Sequence, residues 1–322
     1  MSAVVEDGDV LAEIRTFNAE LERTLSEATP METVPVDAVR RLRREGKDVF
    51  PAPEYLPDRA RELSIRGSGG DVGLRVIAPK GREAVGAYVH IHGGGWALGA
   101  SDMQDPVLVE LADATGLTVV SVEYRLAPEH PYPGGPDDCE DAALWLLQGG
   151  FAELGVPPVA AIGGDSAGGN LAALTLLRLR DRHGISGAFS AANMIYGVFD
   201  LSLTPSARRW GLRRLLLNTP IMEHFLALYV PGMDAEARRD PDISPLYADL
   251  ADMPPALFSI GTLDPLYDDT LFMEARWRAA GARTELAVHS EAIHGYNAFP
   301  LRLTAASRAQ QYAFLNAALT GS

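Results

Sequence analysis

VAAIGGDSAGGNLAALTLLRL, residues 159–179, carries an apolar stretch through a cluster of glycines into a long apolar helical pattern. Its centre, Gly164-Asp165-Ser166-Ala167-Gly168, has the G-x-S-x-G form in the strand–turn–helix context of a nucleophile elbow. A serine there sits on a sharp, strained turn, and a side chain at either flanking glycine would strike the neighbouring strand or helix. Ser166 then presents its hydroxyl at a helix N-terminus, where the dipole and free N–H groups favour a developing anion. The plainer readings are a glycine-rich helix cap with Ser166 as a mere N-cap, or a phosphate loop. A phosphate loop places Lys after its glycines, and Asn170 stands there.

On both sides of this stretch, strands and helices alternate from residue 63 onward. Two short strands (63–66 and 72–78) lead into apolar runs at 86–91, 118–123, 159–164, 188–196, 255–261 and 285–289. Helical patterns near 104–115, 137–148, 168–182, 268–280 and 302–319 separate and close them. Short apolar runs alternating with helices predict an α/β fold whose mostly parallel sheet is covered on both faces, with the chemistry at the carboxyl ends of the strands. Residues 10–24 and 36–46 read as amphipathic helices that precede the sheet, with Leu11, Ile14, Phe17 and Leu21 on one face. Residues 201–230 break the rhythm and read as inserted helices.

The totals narrow the function classes. A chain of 322 residues that is 47% hydrophobic fits one large α/β domain with embellishments. Its net charge is −15, and RRLRR at 40–44 is its longest basic run, which argues against nucleic acid or an anionic membrane as partner. Cys139 is the single cysteine, so an internal disulfide and a cysteine-cluster metal site are excluded. It reads as a small core residue. The acidic start MSAVVEDGDV lacks the basic opening of a signal peptide, and no apolar window reaches the length of a membrane span. A cytoplasmic protein without stable membrane insertion is the expectation.

HGGGWALG, residues 92–99, follows the apolar run AYVHI. Three glycines weaken a strand end and pack nothing, so they mark either a flexible loop or backbone N–H groups turned toward a ligand. Acyl transfer at an elbow serine needs such donors from a loop after an earlier strand, together with the N–H of the residue after the serine. Gly94, Gly95 and Ala167 are the expected oxyanion donors. His92 is expected to anchor this loop rather than act as a base, Asp165 to support the site, and His90 to be a satisfied sheet histidine.

The acid and base of such a site follow the serine in the chain. His183 ends a helix before Gly184, His224 lies on an inserted helix, and His289 falls at a strand terminus; all three have structural readings. His294 occupies a loop, AIHGYNAF, beyond the last strand, with Gly295 behind it. Asp264, in SIGTLDPLYDD, stands just past a strand end with Pro265 fixing the turn. Asp200 is its rival, whereas Asp268 and Asp269 read as the acidic first turn of the next helix. Ser166, His294 and Asp264 are thus the expected triad, and no metal or organic cofactor is called for.

HGGGWALG, EYRLAPEHPYPGGPDD (123–138), GDSAGGN (164–170), the run from Asp242 to Asp269 and IHGY (293–296) together resemble the hormone-sensitive lipase family of α/β-hydrolases. The likeness runs from about residue 63 to the C-terminus. It implies the same triad and oxyanion donors, and a carboxylesterase acting on short-to-medium acyl esters, with a small ester as its partner. It also implies a cap formed by residues 1–62 and an insertion at about 201–230 over a catalytic domain of 63–322, with Glu129 and His130 bracing a loop beside the site. Trp96, Trp210, Leu216 and Tyr296 are the expected pocket residues, the apolar segment 210–229 being read as a wall of the acyl pocket. A structural alternative packs that segment on the sheet or on a second copy of the chain, giving a homodimer. The rival functions on the same fold are a lyase or dehydratase, an amidase, and a non-catalytic ligand receptor.

Overall fold

Strand pairing gathers the apolar runs into one sheet in the computed structural model, which describes residues 2–4 and 7–320. The strands are β1 (Ser2–Val4), β2 (Arg61–Gly67), β3 (Gly70–Ile77), β4 (Gly86–Ile91), β5 (Leu117–Glu123), β6 (Ala160–Asp165), β7 (Ala191–Ile195), β8 (Ala256–Leu263) and β9 (Thr284–Ile293). Their order is β1-β9-β8-β7-β6-β4-β5-β3-β2. Only β3 runs against its neighbours, β2 and β5; every other pair is parallel. All six residues of β4 are buried, as expected of a parallel strand covered on both faces.

The helices are α1 (Gly8–Glu27), α2 (Val36–Arg44), α3 (Asp105–Thr115), α4 (Gly134–Trp145), α5 (Phe151–Leu154), α6 (Ala167–His183), α7 (Pro205–Arg209), α8 (Thr219–Tyr229), α9 (Tyr267–Ala279) and α10 (Arg302–Thr320). On one face of the sheet, Leu171, Leu174, Cys139, Met273 and Trp277 from α4, α6 and α9 form the larger core. On the other face, Leu108 and Leu111 of α3 and Phe314 and Leu315 of α10 meet Tyr88, Ala161 and Ala191. Cys139 is wholly buried in the first core, as expected of a free cysteine.

The expected α/β architecture is the observed one, and three details depart from expectation. Ser2–Val4 adds a parallel strand to β9, so the N-terminal segment enters the sheet as well as preceding it. The last strand runs to Ile293, which puts His289 inside it rather than at its terminus. Near its end β9 bulges: the pairing with β8 shifts between Gly261 and Leu263, and Glu291 takes a φ of 57°. Helix α1 holds that bulge, with Asn18 Nδ2 donating to Glu291 O at 2.8 Å and Arg15 pairing with the Glu291 carboxylate. Ile14 and Leu21 fasten the same helix to Val288, Ala292 and Ile293 through the apolar core.

The acidic turn at the head of α9 is less ordinary than it reads in sequence. Asp269 is completely buried, and its oxygens accept the N–H groups of Phe199 and Asp200 at 2.8 and 2.9 Å and the Thr204 hydroxyl at 2.6 Å. Burial raises its carboxyl to about 7, overriding those hydrogen bonds and reinforced by the neighbouring Asp200. A carboxyl raised in the folded state contributes stability that is fully present below its unfolded value of about 4 and is lost as pH climbs through about 7. Asp269→Asn keeps an acceptor oxygen for the Phe199 and Asp200 N–H groups, turns an amide donor toward the Thr204 hydroxyl, and carries no charge. Thermal unfolding should show the variant gaining midpoint temperature over the parent between pH 5 and pH 8. A midpoint difference independent of pH would mean that Asp269 is not the titrating group.

Candidate active site

Strand β6 ends at Asp165, and the chain turns into α6 through Ser166 with φ 55° and ψ −117°. That conformation is costly for a residue bearing a Cβ, and it is pinned from several directions. Ser166 N donates to Ile195 O at 2.9 Å, while Gly169 and Asn170 N–H groups return to Ser166 O. A Cβ on Gly168 would lie 2.0 Å from Ile91 O, and one on Gly164 would lie 2.3 Å from the same atom. Both elbow glycines are therefore required by the close passage of β4.

His294 follows β9 directly, one residue beyond Ile293. Its Nδ1 lies 2.8 Å from Asp264 Oδ2 and its Nε2 lies 3.0 Å from Ser166 Oγ. Because a carboxylate only accepts, Nδ1 carries the proton and Nε2 is left to accept from the serine hydroxyl. Asp264 is almost wholly buried, and its other oxygen accepts Leu266 N–H at 2.8 Å. Tyr196, itself at φ 36°, sets its ring edge-on to the imidazole at 4.9 Å. Asp200 stands apart: its carboxylate accepts Ser202 N–H at 2.7 Å and the Tyr247 hydroxyl at 3.2 Å. The three residues expected from sequence are thus within hydrogen-bonding reach of one another, and the rival acid is not among them.

The glycines after β4 answer to three different neighbours. A Cβ on Gly93 would fall 2.3 Å from Asp165 Oδ2, on Gly94 2.3 Å from Leu98 O, and on Gly95 2.4 Å from the Phe225 ring. Gly94 and Gly95, at φ 115° and 59°, line the same cavity as Ser166 and His294. Ala167, fully buried, follows the serine as the first residue of α6, where a helix leaves N–H groups unpaired. His92 anchors the loop as expected: Nδ1 donates to Gly93 O at 2.8 Å, its ring stacks on Tyr124 at 4.3 Å, and Tyr124 donates to His92 O. Burial lowers the pKa of His92, and burial together with His92 lowers His90 to about 3, so both rings are neutral. Asp165 Oδ1 accepts Gly93 N–H at 3.2 Å and the Gln104 amide at 3.1 Å, tying the glycine loop to the segment before α3.

Arg40 of α2 clips the two loops beside the site together. It donates to Ala97 O, to Ala127 O, and through two nitrogens to Glu129 at 2.8 and 2.9 Å. Arg40 belongs to RRLRR, so that basic run includes a structural clamp, and Glu129 has the bracing position that the family likeness implies.

A cavity of about 1330 Å³ opens over Ser166. Trp96 and Leu216 line it, as expected. Trp210 and Tyr296 do not. Trp210 is half-buried against the core that holds Ile14 and Leu21 of α1, its Nε1 donating to Arg213 O at 3.0 Å and its ring near the Arg213 guanidinium, which pairs with Glu22. Tyr296 is wholly buried behind the histidine, packed on Tyr196 and hydrogen-bonded to Ser307 at 2.9 Å. Phe50 is a wall that sequence reasoning passed over, while Ile221, Met222 and Phe225 of α8 belong to the part of segment 210–229 that lines the cavity. The spacing of the last three along IMEHF is the helical signal that could have placed them on one face.

Comparison with known proteins places the chain in a family. Residues 88–298 match the family model described as the alpha/beta hydrolase fold. The chain is 36% identical to the carboxylesterase NlhH of Mycobacterium tuberculosis over 292 residues, covering 89% of this chain and 91% of that protein. It is 32% identical to an ethyl acetate hydrolase of Pseudomonas putida, covering 86% and 88% of the two chains. The solved esterase of Pyrobaculum calidifontis superposes with a TM-score of 0.81 at 32% identity, over 92% of this chain and 97% of that one. The chain therefore belongs to the alpha/beta hydrolase fold family, and within it to the carboxylic ester hydrolases that resemble hormone-sensitive lipase.

Proposed function

We propose that the chain hydrolyses small carboxylic esters through an acyl-enzyme formed on Ser166. The observation that carries this reading is the hydrogen-bonded line from Asp264 through His294 to Ser166, with spans of 2.8 and 3.0 Å. Ser166 Oγ attacks the ester carbonyl carbon as His294 Nε2 takes its proton; Asp264 holds the imidazole in the productive tautomer and stabilises its positive charge. The N–H groups of Gly94, Gly95 and Ala167 receive the oxyanion. The alcohol departs with the proton from His294, after which water, deprotonated by the same ring, releases the acid. The rings of His90 and His92, neutral and engaged in the loop and sheet, are poor candidates for the base. A small ester is the partner this scheme requires, and it needs no cofactor.

The cap, on this reading, is α1 and α2 together with the segment at about 201–230. Ile221, Met222 and Phe225 of α8 and Leu216 of the preceding loop present apolar surface to the cavity above Gly95. An acyl chain lying there gains about 0.8 kcal/mol of transition-state binding per methylene, which favours short-to-medium chains until the space is filled. The relative named for ethyl acetate supports acceptance of the shortest acyl groups.

Ser166→Ala should remain folded and lose turnover by about 10⁴ to 10⁶, and an organophosphate should label Ser166 alone; a labelled peptide from elsewhere would refute the assignment. Asp264→Asn should lower kcat by about 10⁴ with KM little changed, because it acts on a charge that grows in the transition state. Asp200→Asn should do far less, and the reverse ranking would move the acid to the earlier strand.

Across p-nitrophenyl esters from acetate to palmitate, kcat/KM should rise several-fold from acetyl to butyryl, peak at about four to eight carbons and fall steeply by about twelve. Phe225→Ala should shift that peak to longer chains, whereas Trp210→Ala, which does not line the cavity, should leave it in place. A profile that still climbs at palmitate, or one that ignores Phe225, would show that α8 does not bound the acyl chain.

A further inference from the structure

The cavity has two arms of opposite character. One runs beneath the cap and is apolar. The other passes Asp165 and descends between the sheet and helices α3 and α10, where it meets Tyr88, His90, Asn193 and Gln311. Register explains its floor: His90, Gly163 and Asn193 lie side by side on β4, β6 and β7. Gly163 carries no side chain, and the Tyr88 hydroxyl takes the place a Cβ would fill, at 2.2 Å from it. The outcome is a polar chamber under the elbow, on the side of the sheet away from α6.

Its polar groups are only partly satisfied by protein. Asn193 is completely buried; its Nδ2 reaches Gln311 at 3.4 Å, but its Oδ1 finds no hydrogen-bond partner among the described residues. At the outer end Arg308 Nε and Asn297 Oδ1 are buried in the same condition. Arg308 closes that end by bridging α10 to Glu110 of α3 at 3.0 Å and donating to Asn297 O at 2.8 Å. An acyl chain entering this arm would strand both kinds of atom, an acceptor in Asn193 and a donor in Arg308. Water satisfies both, and a polar, roomy space with several such partners is where buried water resides.

We propose that this arm is the water path for deacylation. The inference rests on the acyl-enzyme reading above. Once Ser166 is acylated, the apolar arm holds the acyl chain, and water arrives from the chamber past Asp165 and Gln104 rather than through the ester's entrance. The water oxygen bonds to the acyl carbon while His294 Nε2 takes its proton; the bond from that carbon to Ser166 Oγ then breaks, and Oγ recovers the proton from His294. Asn193 is a positioning residue in this scheme, acting on the water line and not on the ester.

The test is a competition between two acyl acceptors. The apolar ring of benzyl alcohol would leave Asn193 Oδ1 and Arg308 Nε unpaired in the polar arm and so favours the ester's entrance; p-nitrophenyl butyrate with benzyl alcohol then yields benzyl butyrate and butyrate in a ratio that compares the two routes. Asn193→Leu and, separately, Gln311→Leu should raise the ratio of benzyl butyrate to butyrate by about fivefold, the effect of losing one water-positioning hydrogen bond. Both should lower kcat for hydrolysis and leave kcat/KM, which reports acylation, unchanged. The product ratio does not depend on the fraction of folded enzyme, so a poorly folding variant still answers. A ratio equal to the parent's in both variants overturns the water path. A parent enzyme that makes no benzyl butyrate, and shows no butyryl mass on Ser166, overturns the acyl-enzyme reading itself.

Discussion

The close passage of β4 under the elbow is the constraint on which the site depends. The carbonyl of Ile91 lies so near the backbone of Gly164 and Gly168 that neither position tolerates a Cβ. That contact forces the chain to leave β6 in an unfavourable conformation at Ser166 and to enter α6 at once. The same strand continues into His92 and the glycine loop, so one crossing fixes both Ser166 and the loop that lines the same cavity. Strain of this kind persists only where surrounding structure over-determines it. Here the sheet partner Ile195 and the first turn of α6 supply that restraint.

Much of this was legible in sequence because the signals are local. G-x-S-x-G between an apolar strand and an apolar helix, and three glycines after another strand, each need only a dozen residues to be read. The alternation of strands and helices set the sheet. What stayed hidden depends on contacts distant in the chain. Nothing in ELAVHSEAIHG announces a left-handed Glu291, because the bulge is imposed by Asn18 and Arg15 some 273 and 276 residues away. Trp210 reads as a pocket wall because bulk and apolarity say nothing of direction; in the fold it packs against the core beside α1 and donates to Arg213 O instead. Asp269 read as an ordinary helix-start carboxylate, and only the tertiary fold shows it sealed from water.

The cavity's two arms suggest a division of labour between apolar and polar surface. Under the cap, α8 offers shape and hydrophobic contact; beneath the elbow, strand register leaves a row of polar groups facing α10. Gly163 is the hinge of that second surface, since its missing side chain brings Tyr88 and Asn193 together. Asp165 stands at the junction, one oxygen engaged by both the glycine loop and Gln104. The residue between glycine and serine in the elbow motif thus couples the glycine loop to the α3 side of the fold.

The cap helices are also braces, and this limits how they can move. Helix α1 grips β9 three residues before His294, and Arg40 on α2 grips the carbonyl of Ala97 in the loop that carries Gly94 and Gly95. If α1 and α2 swung away as a rigid body they would pull on the strand that leads to His294 through one helix and on the glycine loop through the other. Opening and catalytic alignment are therefore mechanically opposed. What freedom the cavity has then lies with side chains that line it, Phe50, Leu216 and Phe225 among them, set in a frame that both helices hold in place.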